Sequence, residues 1–206
     1  MKLILARHGE TEWTSAGRYQ GQSDPPLSSH GEEQANRLAG RFASANGMTI
    51  ISSPLARAFE TAKTIADQLR CSVAADDRLI ELGYGQWEGL KQAEIKMRWP
   101  ELLRAWKRTP DQVQFPDGES LHDLQQRVRS FLASMTTEVG SGSCKTVLAV
   151  THDGVIRLAA LELLNQPLCK FRELRVETAS LTTCTQRDGK FIVESLNDVA
   201  HLRALN

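Results

Sequence analysis

Four basic side chains in this sequence each follow a short apolar segment with the composition of a buried strand. They are Arg7, His8, Arg57 and His152. In an open parallel sheet, the loops that follow the carboxyl ends of the strands meet in one crevice, where ligands usually bind. We therefore expect these side chains to form one cationic pocket. Phosphate is the expected occupant, because the planar guanidinium of arginine matches two phosphate oxygens at once.

A histidine, an arginine or a glutamate taken alone is usually an ordinary polar loop or helix residue. The joint pattern is what indicates a site: His, Arg and His at three strand ends, with Glu81 in a glycine-rich loop. The helix start near Arg57 would add free backbone N–H groups, which also attract an anion.

Strands and helices must alternate to position these residues. Strands are predicted at Lys2–Ala6, Met48–Ile51 and Thr146–Val150, with a further candidate at Cys71–Ala75. Thr146–Val150 is continuously β-branched or apolar, which is typical of a central strand buried on both faces. A hairpin is predicted for Ser180–Gln186 and Phe191–Ser195, turning at Asp188-Gly189. The alternation predicts an α/β fold, a three-layer α/β/α sandwich with a mainly parallel central sheet.

The helices are predicted from apolar residues that recur with helical spacing. They cover about Gly31–Ala43, Pro54–Leu69, Glu119–Thr137 and Val155–Leu164. Ser29, followed three residues later by Glu32, predicts a capping box for the first helix. For the second helix, Ser53 is the predicted N-cap and Pro54 the first helical residue.

Residues 91–116 are polar, contain tryptophans and are predicted to form short helices broken at Pro100 and Pro110. We interpret them as part of a small helical cap, an insertion of roughly residues 88–118 over one edge of the core. The whole chain, residues 1–206, is then expected to be a single domain.

Charge and hydropathy limit the classes of partner. The 25 basic and 25 acidic side chains balance to a formal charge of zero, which argues against nucleic acid, whose binding relies on a basic surface. No segment approaches the roughly 20 apolar residues that cross a bilayer, and no targeting segment is visible. We expect a cytoplasmic protein with neither membrane nor nucleic-acid partners.

The four cysteines lie far apart and form no C-x-x-C pair, so we expect no disulfide scaffold. Each is predicted to be a small buried hydrophobic residue. They are Cys71, Cys144, Cys169 and Cys184.

Several spaced motifs resemble those of the phosphoglycerate mutase-like branch of the histidine phosphatase superfamily. Leu5–Trp13 is similar to its L-x-R-H-G-x-T/S-x-x-N signature, and Arg18–Ser28 to its R-x-x-G-x-x-D-x-P-L-[ST] loop. Ser53–Ala62 resembles the S-x-L-x-R-A-x-x-T-A helix start, and Glu81–Gly89 the E-x-x-x-G-x-x-E-G loop. Further matches are Gly118–Ser120, Thr151–Arg157 and Leu196–Asp198, so the resemblance covers nearly the full length.

The resemblance implies a phosphoglycerate mutase-like fold and a phosphatase that forms a phosphohistidine. His8 would be the nucleophile, and Arg7, Arg57 and His152 would hold the phosphoryl oxygens and stabilise their charge in the transition state. Glu81 would protonate the leaving oxygen, and water would then hydrolyse the phosphohistidine. No metal and no cofactor are expected. The expected partner is a small phosphorylated metabolite, and the protein is expected to be a monomer or homodimer.

One departure from the family pattern concerns phosphate binding. Thr14 stands where the family usually has an asparagine whose amide contacts phosphate. Threonine donates one hydrogen bond over a shorter reach. The Gln20 side chain or the Gly21 backbone N–H could supply the missing donor.

A second departure bears on the reaction. Leu82 stands where cofactor-dependent mutases have an arginine that helps to bind a bisphosphate. Losing this cation favours a phosphatase over the alternative, a phosphoglycerate mutase. Lys107 and Arg108 in the insertion could restore the charge, although we interpret them as solvated helix residues. A non-catalytic phosphate-binding module is the second alternative.

The substrate is less well determined by these motifs, which resemble both α-ribazole phosphatases and broad-specificity phosphatases. Four aromatic residues in or near the insertion could contact an apolar leaving group. We favour the interpretation that they form the core of the cap. They are Trp87, Trp99, Trp106 and Phe115.

Overall fold

A computed structural model describes residues 1–45, 47–137 and 146–203. Its strands are β1 (Lys2–Arg7), β2 (Met48–Ser52), β3 (Val73–Ala75), β4 (Thr146–Thr151), β5 (Leu181–Arg187) and β6 (Lys190–Asp198). Its α-helices are α1 (Glu12–Ser15), α2 (Ser29–Arg41), α3 (Ala56–Leu69), α4 (Gln92–Arg98), α5 (Pro100–Arg108), α6 (Leu121–Thr137) and α7 (Asp153–Leu163).

The six strands form one sheet in the order β3-β2-β4-β1-β5-β6. The first four are parallel to one another, whereas β5 is antiparallel to β1 and forms a hairpin with β6. The predicted mainly parallel sheet and the terminal hairpin are confirmed, and so is the central strand, which was predicted as Thr146–Val150 and extends to Thr151. The third strand is shorter than the predicted Cys71–Ala75.

Helices cover both faces of the sheet, because alternate residues of each central strand point to opposite sides. In β4, Leu148 and Val150 join a cluster with α2 and α3, whereas Val147 and Ala149 join a cluster with α6 and α7. The three-layer α/β/α sandwich predicted from the sequence is therefore confirmed.

The four predicted helices each begin two residues away from the predicted start, α2 and α7 earlier and α3 and α6 later. Ser28, not Ser29, caps α2, since its hydroxyl accepts a hydrogen bond from the Gly31 N–H at 3.1 Å. Helix α3 begins at Ala56 instead of Pro54, and its free Ala56 N–H donates to the Asp24 carboxylate at 2.8 and 3.0 Å. Leu55, not Ser53, is the N-cap of α3. The Ser53 N–H donates to the Val150 carbonyl of β4 at 2.9 Å, and the Ser53 hydroxyl accepts from the Leu55 N–H at 3.3 Å.

The insertion folds as expected into two short helices, α4 and α5, separated at Pro100 and followed by a 3₁₀ turn at Pro110–Gln112. Its aromatic residues are core: Trp87, Trp106 and Phe115 are buried, and Trp99 packs against the same cluster. This cluster is continuous with the side chains of α6 and α7, so the cap and the sandwich share one core.

Two of the cysteine predictions are wrong. Cys71 and Cys169 are exposed, and only Cys184 of the described cysteines is buried. Cys71 follows the left-handed residue that ends α3, and Cys169 lies in a short surface turn, so neither position points into the core. Cys144 lies outside the described residues. In the part of the chain that the structure covers, no helix is long and apolar enough to span a bilayer.

The shifted start of α2 can be tested with a matched pair of serines. Ser28→Ala should lower the free energy of unfolding by about 1 kcal/mol, because the Gly31 N–H loses its acceptor. Ser29→Ala, at an exposed position, should lower it by less than about 0.5 kcal/mol. Denaturant unfolding of both variants measures the difference. If Ser29→Ala lost more free energy of unfolding than Ser28→Ala, the capping box predicted from the sequence would be supported.

Candidate active site

The pairing register of β1 and β4 brings the two histidines together. Arg7 pairs with Thr151, so His8 and His152 are the next residues along the two strands. The His8 N–H continues the ladder by donating to the Thr151 carbonyl at 3.0 Å. The imidazole rings lie with their centroids 5.1 Å apart and their planes at 62°.

Hydrogen bonds on both ring nitrogens define the tautomer of His8. Its Nδ1 lies 2.6 Å from the Gly9 carbonyl, which can only accept, so Nδ1 carries the proton. Its Nε2 is then unprotonated and accepts a hydrogen bond from the Arg57 Nε–H at 3.3 Å. His8 therefore presents a lone pair on Nε2, as a nitrogen nucleophile requires.

Burial and two cations keep this imidazole neutral. The pKa of His8 lies well below its usual value, first because the ring is buried and then because Arg57 and Arg7 repel a positive charge. At neutral pH the ring is consequently available to attack an electrophile.

Arg57 is completely buried and is held by backbone carbonyls. Its Nη2 donates to Gly21 at 2.7 Å and its Nη1 to Ser23 at 2.8 Å. The Asp24 carboxylate lies 3.7 Å from Nη1 and partly balances the charge. The first turn of α3 thus carries Arg57 to His8, as predicted, while the loop before α2 fixes its orientation.

His152 is also completely buried, and its Nε2 lies 2.8 Å from the Ser53 hydroxyl. Its Nδ1 has no hydrogen-bond partner among the described residues. Burial is the main cause that lowers the pKa of His152 well below its usual value, followed by repulsion from Arg57 and His8. The contact with Ser53 was missed from the sequence, where Ser53 was interpreted as a helix cap.

Arg7 lies at the edge between the buried site and the open surface. Its Nη1 donates to the Val176 carbonyl at 2.7 Å and lies 3.8 Å from the Asp153 carboxylate. Its Nε is buried and has no partner among the described residues. This N–H can donate to an anion that enters the site.

Glu81 packs against the start of α7. One carboxylate oxygen accepts from the Leu82 N–H at 2.8 Å and from the Gly154 N–H at 3.1 Å. Burial, followed by the nearby Asp153 carboxylate, raises the pKa of Glu81 in spite of these hydrogen bonds. The raised pKa favours a protonated carboxyl group, which can donate to a leaving oxygen. A Cβ on Gly154 would lie 2.5 Å from this oxygen, so the close approach needs glycine.

Thr14 and Gln20 form one hydrogen-bonded group with Thr11. The Gln20 amide donates to the Thr14 hydroxyl at 2.9 Å, and the Thr11 hydroxyl donates to the Gln20 carbonyl oxygen at 2.7 Å. One amide hydrogen of Gln20 is used in this way, and the second can donate to a ligand. Gln20 is thus placed where it can substitute for the amide that Thr14 lacks.

A cavity of about 190 Å³, here the His8 pocket, opens above these groups. Its walls include five of the predicted site residues: Arg7, Thr14, Gln20, Gly21 and Glu81. The other three, His8, Arg57 and His152, do not line the cavity and are at most 1% exposed. Arg57 connects them to it, because it donates to both the Gly21 carbonyl and the His8 ring. The structure therefore brings all eight predicted residues together. Tyr19, Tyr84 and Asp153 also line the pocket and were not predicted.

Glu88 ties the loop that holds Arg57 to the loop that carries Glu81. Its carboxylate accepts from the backbone N–H groups of Gln22, Ser23 and Tyr84 at 2.8–3.1 Å. A Cβ on Gly21, which has φ +57°, would collide with this carboxylate. Glu88 belongs to one of the motifs that resemble the family, but only the structure shows which groups its carboxylate binds.

The two cations that could have replaced the arginine missing at Leu82 do not lie at the site. Lys107 and Arg108 are exposed on α5 and line neither the His8 pocket nor its neighbour. Leu82 is completely buried in the core. Across residues 1–45, 47–137 and 146–203, no three acidic, histidine or cysteine side chains are placed to hold a metal ion.

The chain belongs to the histidine phosphatase superfamily (branch 1), whose family model matches residues 3–199. It is 36% identical over 202 residues to phosphoserine phosphatase 1 of Hydrogenobacter thermophilus, a match that covers 98% of this chain and 94% of that protein. It is 35% identical over 214 residues to a Klebsiella pneumoniae protein named "Probable phosphoglycerate mutase GpmB", with 99% and 96% covered.

Solved structures agree with the family assignment. The α-ribazole phosphatase from Shigella flexneri superposes with a TM-score of 0.87 at 26% identity, over 96% of both chains. The phosphoglycerate mutase-like fold is confirmed. The family and the phosphatases among its relatives identify this protein as a histidine-phosphatase-type phosphatase.

The neutral state of the buried histidines makes stability depend on pH. The folded-state pKa values of His8 and His152 lie below 6.5, so just below pH 6.5 the unfolded chain binds more protons. The free energy of unfolding should fall as the pH falls, by at most about 1.4 kcal/mol per pH unit for each histidine. Denaturant unfolding between about pH 5 and pH 7 measures this slope.

The variant His8→Gln should flatten the slope by removing one of these titrations. His122→Gln, which changes an exposed histidine on α6, is the matched control and should retain the wild-type slope. Equal slopes in His8→Gln and the wild type would show that His8 is not held neutral by the fold.

Proposed function

We propose that this protein is a metal-independent phosphomonoesterase that hydrolyses a small phosphorylated metabolite through a phosphohistidine on His8. The observation that carries the proposal is the state of the His8 ring. Its Nδ1–H is held by the Gly9 carbonyl, and its unprotonated Nε2 lies beside the Arg57 guanidinium. A neutral nitrogen nucleophile next to a phosphate-binding cation is the arrangement that phosphoryl transfer needs.

The first step transfers the phosphoryl group to His8. Its Nε2 attacks phosphorus. The Arg57 Nε–H, which donates to this nitrogen in the free protein, then donates to a phosphoryl oxygen instead. The free Nε–H of Arg7 and the second amide hydrogen of Gln20 bind further oxygens. The His152 ring, which lies beside the His8 ring, also contacts the phosphoryl group. These fixed donors stabilise the charge of the transition state.

Glu81 completes both steps as a proton carrier. Protonated Glu81 gives its proton to the leaving oxygen as the ester bond breaks, which leaves a carboxylate. That carboxylate then takes a proton from the water that attacks the phosphohistidine, and inorganic phosphate leaves with neutral His8 restored. The raised pKa of Glu81 supports the first of these roles.

The alternative of a phosphoglycerate mutase is favoured by the names of several relatives. Two features of this chain oppose it. Leu82 is buried and brings no charge to the pocket, and the exposed Lys107 and Arg108 lie outside it. Because none of these three residues brings a cation to the His8 pocket itself, we expect the phosphoryl group to pass to water instead of to a second acceptor.

The relatives differ in the compounds that their names contain, phosphoserine in one and α-ribazole in another. We take the common element, a phosphomonoester of a small metabolite, as the substrate class. The cytoplasmic location, the monomeric or homodimeric state and the single-domain organisation remain predictions.

Rapid quenching with a ³²P-labelled phosphomonoester should trap an acid-labile, base-stable phosphoenzyme, since a phosphoramidate on histidine has these stabilities. The label should be absent in His8→Ala and unchanged in His30→Ala, an exposed control. When the labelled enzyme is diluted into buffer, the label should appear as inorganic phosphate. When it is diluted into 3-phosphoglycerate, no labelled bisphosphate should form. Label that persists in His8→Ala would contradict the nucleophile, and transfer to 3-phosphoglycerate would establish the mutase.

The role of Glu81 predicts a dependence on the leaving group. Glu81→Gln should lower kcat by about 100-fold or more for an alkyl phosphate, whose alkoxide must be protonated, and by much less for p-nitrophenyl phosphate. Glu60→Gln on the exposed side of α3 is the control and should leave both rates unchanged. Steady-state kinetics on the two esters measure the effect. An equal loss with both esters would exclude Glu81 as the proton donor.

A further inference from the structure

A second cavity lies directly beside the His8 pocket. Its volume is about 430 Å³, within the range of about 300–1,000 Å³ typical of small-molecule sites. Both cavities are lined by Tyr19, Tyr84 and Asp153, so a molecule bound by its phosphate in the His8 pocket can extend into the second one. We call this second cavity the Trp106 pocket, after the ring at its base.

The base of the Trp106 pocket is aromatic. Trp106 and Phe171 are each 2% exposed, with their centroids 5.7 Å apart, and Tyr84 contacts Trp106 edge-on at 6.1 Å. These rings form a rigid base beneath the cavity, and almost none of their own surface is exposed.

The rim of the Trp106 pocket is cationic. Arg157 is neutralised by Asp153, whose carboxylate oxygens both lie 2.9 Å from its Nε. Arg172 makes no ion pair within the described part of the chain, and its guanidinium lies 5.6 Å from the centre of the Trp106 ring. Arg175 pairs with Glu177 at 3.1 Å, but its side chain is 80% exposed.

These charges leave a net attraction for an anion. Three arginines and two carboxylates, Asp153 and Glu173, line the pocket, which leaves one positive charge in excess. The Glu177 partner of Arg175 does not line the pocket. Guanidinium groups are suited to carboxylates and phosphates, both of which accept two parallel hydrogen bonds.

We propose that the Trp106 pocket binds the leaving group of the substrate, and that Arg172 and Arg175 bind a second anionic group, a carboxylate or a phosphate, carried by that leaving group. This inference rests on the proposed phosphatase function. The substrate class is thereby narrowed from phosphomonoesters in general to those of acidic metabolites. Glu81 lines the His8 pocket together with Tyr19, Tyr84 and Asp153, the residues that both cavities share.

Four aryl phosphates with similar phenols test the proposal. They are 4-(carboxymethyl)phenyl, 4-(phosphonomethyl)phenyl, 4-ethylphenyl and 4-(aminomethyl)phenyl phosphate. The anionic esters should have a kcat/KM about 10-fold higher than the neutral ethyl ester, and the cationic ester should be the poorest. The two anionic esters distinguish a carboxylate from a phosphate as the preferred group.

The variant Arg172→Gln/Arg175→Gln should reduce the ratio of kcat/KM between anionic and neutral esters to about 1, mainly through KM. Arg187→Gln is the matched control, because Arg187 is exposed and lies far from the site along β5. The site is near Leu181, which pairs with Ala6 at the end of β1, whereas Arg187 lies past Thr185, which pairs with Lys2 at its start. The control variant should retain the wild-type ratio.

Two results would overturn the inference while leaving the proposed function intact. They are hydrolysis of all four esters without preference, and a preference that survives in the double variant. Hydrolysis of none of the four esters would instead contradict the phosphomonoesterase function on which the inference depends.

Discussion

The guanidinium of Arg57 has no exposed surface, and much of the site follows from the compensation of that buried charge. An unpaired buried cation is costly, so its N–H groups must find acceptors in the protein. The carbonyls of Gly21 and Ser23 turn inward to accept two of them, and the unprotonated Nε2 of His8 accepts a third. The same contact that satisfies Arg57 therefore helps to hold His8 neutral, because a protonated ring could not accept it.

The loop that supplies these carbonyls needs its own support. Glu88 accepts three backbone N–H groups from the Gln22–Ser23 segment and from Tyr84, which joins this loop to the one that carries Glu81. Arg127 on α6 supports the second loop by donating to the Ile80 carbonyl at 2.8 Å. The cation, the nucleophile and the acid are consequently held by one continuous set of hydrogen bonds, which limits how far each can move relative to the others.

Much of the fold was predictable because the strands are short, apolar and buried on both faces. Helix starts were harder. The start of α3 depends on Asp24, which is 32 residues away and binds the free Ala56 N–H, so local signals at Ser53 and Pro54 were misleading. For α2, two adjacent serines have the same local propensity, and only the backbone path selects Ser28. The exposure of Cys71 and Cys169 likewise depends on where each turn meets the surface.

By itself the sequence determined the order of strands and helices, the residues at the strand ends and the family motifs. These were enough to select eight residues that the structure brings together. The tertiary structure decided which nitrogen of His8 is free, that Ser53 binds His152, and that the Trp106 pocket adjoins the His8 pocket. The physical reason is range. Residue types and periodicity record the local backbone and its burial, whereas protonation, hydrogen-bond partners and cavities arise from side chains brought together across many tens of residues.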